Sequence, residues 1–164
     1  TVGLIQMRIG VEQHQGRLNL SRDQEETLIN TFVAYLHLEG VLEKSAARID
    51  SYDGTTLNIT IPPYTYNGAP LDSVFYDELS RKLSPEVSQA IKTSLGNMFA
   101  GQFRHFGAEE QHLKIFRSPN DSKSVEIDWS MGPGYGMATV DPETIMSGGF
   151  EGFRAVIGSY FWTQ

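Results

Sequence analysis

Hydrophobic residues recur at helical spacing through most of the chain up to Phe106, then alternate at strand spacing from His112 to Val140. That change of period constrains the fold more than any other feature. Helices gathered early and strands gathered late point to an α+β chain with an antiparallel sheet, not to alternating βαβ units.

The helix signals are specific. Ser21 and Gln24 stand at capping-box spacing, with Asp23, Glu25 and Glu26 in the first turn, where carboxylates suit the positive end of the dipole. Leu28, Ile29, Phe32, Val33, Leu36 and Val41 follow at helical spacing, with His37 among them and expected to be partly buried. The helix is expected to resume after Gly40, through Glu43 to Ile49. A short helix is expected over Asp72 to Leu83. Ser84-Pro85-Glu86 opens the next: a cap, a proline at the first helical position, then an acid. Its stripe is Val87, Ile91, Leu95, Met98, Phe99 and Phe103, and the pattern extends to about Phe106. Residues 2–11 (Val2, Leu4, Met7, Ile9, Val11) fit a strand with one slip or a helix.

The strand signals are Thr55 to Ile61, bounded by Asp53-Gly54 and Pro62-Pro63, then His112 to Arg117, Lys123 to Trp129 and Tyr135 to Val140. Asp141-Pro142-Glu143 resembles a helix cap that Gly148-Gly149 cuts short. Phe150, Phe153, Ile157 and Phe161 have helical spacing, whereas the residue types of Val156 to Trp162 favour a strand. The expected architecture is a single α+β domain over residues 1–164. Two long helices and a shorter one pack on an antiparallel sheet of about four strands.

Composition narrows the function. The net charge is −7 and is spread over both halves, with no Lys/Arg cluster, which argues against a nucleic-acid partner. No run approaches 18 apolar residues, so membrane insertion by this segment is not expected. Cysteine is absent, which removes thiol catalysis, disulfides and Cys-ligated metals. The chain begins at Thr1, and a lost leader, anchor or further domain is the expectation that goes with a periplasmic or extracellular setting, with the cytoplasm as alternative.

Met131-Gly132-Pro133-Gly134-Tyr135-Gly136 concentrates the unusual backbone and is the first candidate for ligand contact, through Gly132, Gly134, Tyr135 and Gly136. It lacks the full G-x-G-x-x-G spacing and a following helix or lysine, so no nucleotide cofactor is implied. The proline-stiffened Tyr64 and Tyr66 form a second candidate surface. His105, Glu109 and His112 have i, i+4, i+7 spacing, but Gly107 interrupts any helix that would align them, and no metal is expected. Glu126 and Asp128, two apart on a strand, share a face and read as a solvated surface paired with Lys123 or Arg117. No Gly-x-Ser-x-Gly elbow exists and no catalytic residue is assigned. The reading is a non-catalytic binding or interaction domain, the soluble extracytoplasmic part of a bacterial protein, with a protein or small-molecule ligand. The alternative is a hydrolase or lyase that uses His105 or His112 with acids near the 131–136 loop.

Overall fold

The computed structural model describes residues 2–147 and 149–162. The chain is α+β, as the change of period implies. It gathers into two compact units, residues 1–39 with 65–108, and residues 40–64 with 109–164.

The first unit is helical. It holds α1 (Val2–Leu18), the first part of α2 (Arg22–Ala46), α3 (Leu71–Lys82) and α4 (Pro85–Gln102). The ambiguous N-terminal stretch is therefore helix, with Met7, Val11 and Leu18 buried at helical spacing. The side chains of Val2, Leu4 and Ile9 lie outside the described residues. The capping box at α2 forms as expected: the Ser21 amide donates to Gln24 Oε1 at 2.9 Å, and the Gln24 amide donates to Ser21 Oγ at 3.1 Å. At α4, the Val87 amide donates to the Ser84 hydroxyl at 3.1 Å, behind Pro85.

The core of this unit is aromatic. Phe32, Phe75, Phe99 and Phe103 are fully buried, with ring centroids 5.3 Å apart for Phe75 and Phe99 and 5.2 Å for Phe32 and Phe103. Edge-to-face and tilted pairs of this kind add stabilisation beyond the area they bury. Ile91 and Leu95 are buried with them, as the α4 stripe predicts.

Four details differ from the sequence reading. The buried line of α2 runs Leu28, Phe32, Tyr35, Glu39, Glu43, so Val33, Val41 and His37 are exposed. Steps of three and four keep that line on one face; Val33 lies about a third of a turn off it, and His37 and Val41 lie nearly opposite. The helix stops at Ala46 rather than continuing to Ile49, and Arg48–Tyr52 forms a strand. α4 ends at Gln102, short of Phe106. Arg104, His105 and Phe106 follow at φ of 44°, 53° and 53°, a left-handed turn closed by Gly107 at φ 72°. Left-handed backbone costs roughly 1–2 kcal/mol for each residue with a side chain, and the burial of Phe106 offsets part of it.

The second unit carries one antiparallel sheet of five strands in sequence order: β1 (Arg48–Tyr52), β2 (Thr56–Ile61), β3 (Gln111–Arg117), β4 (Val125–Met131) and β5 (Gly134–Val140). The expected sheet had about four strands, and β1 is the addition. All five of its residues are exposed, so no alternation announced it. The inner face is apolar: Leu57, Ile59 and Ile61 on β2, Leu113 and Ile115 on β3, Val125 and Ile127 on β4, and Val140 on β5. Ile145, Phe150 and Phe153 cover it, together with Ile157 and Phe161 of α5 (Arg154–Phe161). Helical spacing thus overrides residue type at the C-terminal end. Asp141 accepts the amides of Glu143 and Thr144 at 2.8 and 2.7 Å and caps a 3-10 turn over Thr144–Ser147. The proposed stop at Gly148 lies outside the described residues.

Candidate functional site

Strand alternation sends every second side chain of the sheet away from α5. The ladder registers align them in three rows. Thr60, His112, Ser130 and Tyr135 form one; Asn58, Lys114, Asp128 and Met137 form the next; Phe116, Glu126 and Thr139 form the third. This outer face holds a concavity of about 480 Å³, lined among others by Asp50, Asn58, His112, Lys114, Asp128, Ser130, Tyr135 and Met137. Tyr135 is 86% exposed and Met137 69%, high values for large apolar side chains.

A chain of hydrogen bonds runs along one side. The Thr60 hydroxyl donates to Asp50 Oδ2 at 2.5 Å. His112 Nδ1 lies 3.1 Å from the same hydroxyl oxygen, and His112 Nε2 lies 3.0 Å from Glu110 Oε1. Thr60 has one proton and gives it to a carboxylate, so its oxygen accepts from Nδ1–H; a carboxylate also faces Nε2. Donation from Thr60, then from Arg48, holds the Asp50 carboxyl below the usual aspartate range. Thr60 itself is only 3% exposed, so it positions its neighbours and does not meet a ligand.

Asp128 has the opposite character. Its Oδ1 is buried and has no hydrogen-bond donor among the described residues. Lys114 stands opposite in register, but its ammonium lies over the Phe116 ring, 5.7 Å from the centroid. Glu126 accepts from the Ser118 hydroxyl at 3.1 Å. The expected partner Arg117 is in register with Val125 on the inner-facing rows and donates to the Ser122 and Phe161 carbonyls.

The glycine loop is the turn between β4 and β5. Met131 pairs with Gly134 across Gly132-Pro133, and Gly132 has φ +52°, as the first central position of a II′ hairpin requires. A Cβ there would also collide with the Glu109 carboxylate. Gly134 continues the strand. Gly136 lies opposite Trp129, whose indole covers it so closely that a Cβ would come within 2.6 Å of Nε1. Tyr135, between them, points to the outer face. The loop therefore contributes one exposed side chain to the concavity, and its glycines shape the strand that carries it.

The other candidates fall elsewhere. Tyr64, in the second unit, donates to Glu43 Oε1 at 3.4 Å, and Gln111 Nε2 donates to the same oxygen at 3.1 Å; Glu43 is 2% exposed. Tyr66, in the first unit, closes a tight turn with Ala69 over Asn67-Gly68. His105 lies in the left-handed turn of the first unit, whereas Glu109 and His112 belong to the second, so no helix aligns the three. Among the described residues, no group of three or more His, Asp or Glu side chains is placed to hold a metal, and no helix is long and apolar enough to cross a membrane.

Asp50, Thr60 and Glu43 carry no mark in the sequence reading. The Asp53-Gly54 turn was a usable signal: folding the chain back about it sets Asp50 near Thr60. Nothing in the spacing marks Glu43 as buried. Compared with protein families, with curated proteins and with solved structures, the chain has no match.

Proposed function

We propose that the outer face of the sheet is a non-catalytic binding surface. The observation that carries this reading is the concavity itself, left uncovered on one face of a sheet whose other face is fully packed. It combines an exposed aromatic, an exposed thioether and polar groups of both signs, a mixture suited to orienting a ligand. The cysteine-free, acidic composition supports an extracytoplasmic setting. The test is amide-shift mapping of the labelled chain against a panel of amino acids, short peptides and monosaccharides. Shifts centred on Asn58, His112, Asp128, Tyr135 and Met137, lost in Tyr135→Ser with Asp128→Asn, support it. Hits that map away from this face contradict it.

A hydrolase or lyase is the second reading, favoured by one observation: His112 and Asp128 line the same concavity. Against it, both His112 ring nitrogens lie within hydrogen-bond distance of protein oxygens and the Thr60 hydroxyl beside the ring is covered, so these two do not form a free base with an accessible nucleophile. Ester hydrolysis by the chain that disappears in His112→Ala would favour the enzyme.

A further inference from the structure

The two edges of the sheet are not alike. β1 carries Arg48 and Asp50 and slips register between Ile49 and Ser51. Charges and bulges are the devices by which an edge refuses another strand. β5 has neither. Gly134–Val140 contains no charged residue and no proline, and it pairs with β4 over all seven residues without a break.

The direction of its free groups follows from the hairpin. A two-residue connection makes Met131 and Gly134 a hydrogen-bonded pair, since Pro133 has no N–H to support the other pattern. Alternation along the ladder then turns the N–H and C=O of Tyr135, Met137 and Thr139 away from β4. The same three residues set their side chains on the outer face. Behind Met137 and Thr139, in register on β4, stand Asp128 and Glu126.

We propose that the β5 edge accepts an extended basic peptide as a sixth strand. Its backbone pairs with Tyr135, Met137 and Thr139. Lysine or arginine at alternate positions lies over Met137 and Thr139 and reaches Asp128 and Glu126. The proposal rests on the reading of the outer face as a binding surface and names its partner. The acid row is two strand spacings from the added strand, roughly 10 Å, a gap closed by a long cationic stem from one side and a carboxylate from the other. Charge selects the occupant. The edge is neutral, two acids on β4 stand behind it, the protein carries −7, and Lys114, in register with Asp128, is turned to Phe116. A second copy would bring its own acid row to the same edge, which opposes self-pairing.

The experiment uses the full chain and a fluorescein-labelled, end-blocked Lys-Val-Lys-Val-Lys peptide, read by anisotropy. Two controls are Glu-Val-Glu-Val-Glu and the lysine peptide N-methylated at its lysine amides. The lysine peptide is expected to bind at least about tenfold more tightly than either control, and Glu126→Gln with Asp128→Asn should weaken it about five- to tenfold. Met137→Pro removes an edge-facing N–H and should abolish binding; if that variant does not fold, the methylated peptide makes the same test from the ligand side. Equal affinity for the lysine and glutamate peptides overturns the proposal, as does equal affinity for the methylated one or no binding at all. A dimer in sedimentation that Met137→Lys dissolves also overturns it, by giving the edge to a second copy. Small-molecule shifts at Asn58 and His112 alongside a silent lysine peptide would leave the binding face standing and remove only this partner.

Discussion

Gly136→Ala tests how β5 is shaped. The new Cβ would lie 2.6 Å from Trp129 Nε1 and 2.7 Å from two indole carbons. Ordinary carbon contacts are about 3.5–4.0 Å, so the ring must retreat by roughly 1 Å. Trp129 is half-buried and packs beside the inner core, so retreat means lost packing or an off-rotamer side chain. Overpacking of this kind costs about 1–3 kcal/mol. Urea unfolding followed by far-UV circular dichroism should show that loss. Trp129→Leu removes the ring that the new methyl group would meet, so the double variant should lose less than the sum of the single variants by about 1 kcal/mol. A Gly136→Ala midpoint equal to wild type, or strict additivity in the double variant, would refute the account of Gly136 as the seat of the indole.

Other outcomes follow from single contacts. Ile91→Ala or Leu95→Ala should cost about 2–5 kcal/mol, because both are buried in the first unit's core; unchanged denaturant midpoints would count against that core. Gly132→Ala should cost about 1 kcal/mol or more from left-handed strain and leave peptide affinity per folded molecule unchanged, which anisotropy checks. The Glu78 carboxyl is held below the usual range by the Tyr35 hydroxyl at 2.6 Å and then by Lys82 at 2.9 Å. It therefore contributes stability that is present above the ordinary glutamate range and lost as pH falls through the lowered value. Glu78→Gln should flatten the fall in stability between neutral and acid pH, and an unaltered pH profile would contradict this. Zinc and a chelator should each leave the melting temperature of the chain unchanged, and a chelator-sensitive melt lost in His105→Ala would show otherwise.

The helices were legible where a cap and a stripe agreed, as at Ser21 and Ser84, because both signals are local. β2 to β5 were legible because alternation reports burial on one face. β1 was not: an edge strand exposed at every residue has no pattern, and only the turn at Asp53-Gly54 hints at it. The left-handed turn after Gln102 was hidden for a related reason. Phe103 and Phe106 continue the helical stripe, and nothing short of packing reveals that the backbone between them changes hand. Of the candidate site, the glycine loop and Tyr135 were visible as composition. The rows joining Tyr135 to His112, and Met137 to Asp128, exist only through strand register, which spacing within one segment does not encode.

On the proposed reading, β5 presents a usable free edge beside an outer-face binding surface. Residue-resolved amide exchange tests it most directly. In the chain alone, Tyr135, Met137 and Thr139 should exchange rapidly while Gly136 and Ala138 are protected. With saturating lysine peptide, the three fast amides should slow by about tenfold or more. Uniform protection along β5 in the free chain, or peptide-induced protection that appears elsewhere in the molecule, would contradict the account.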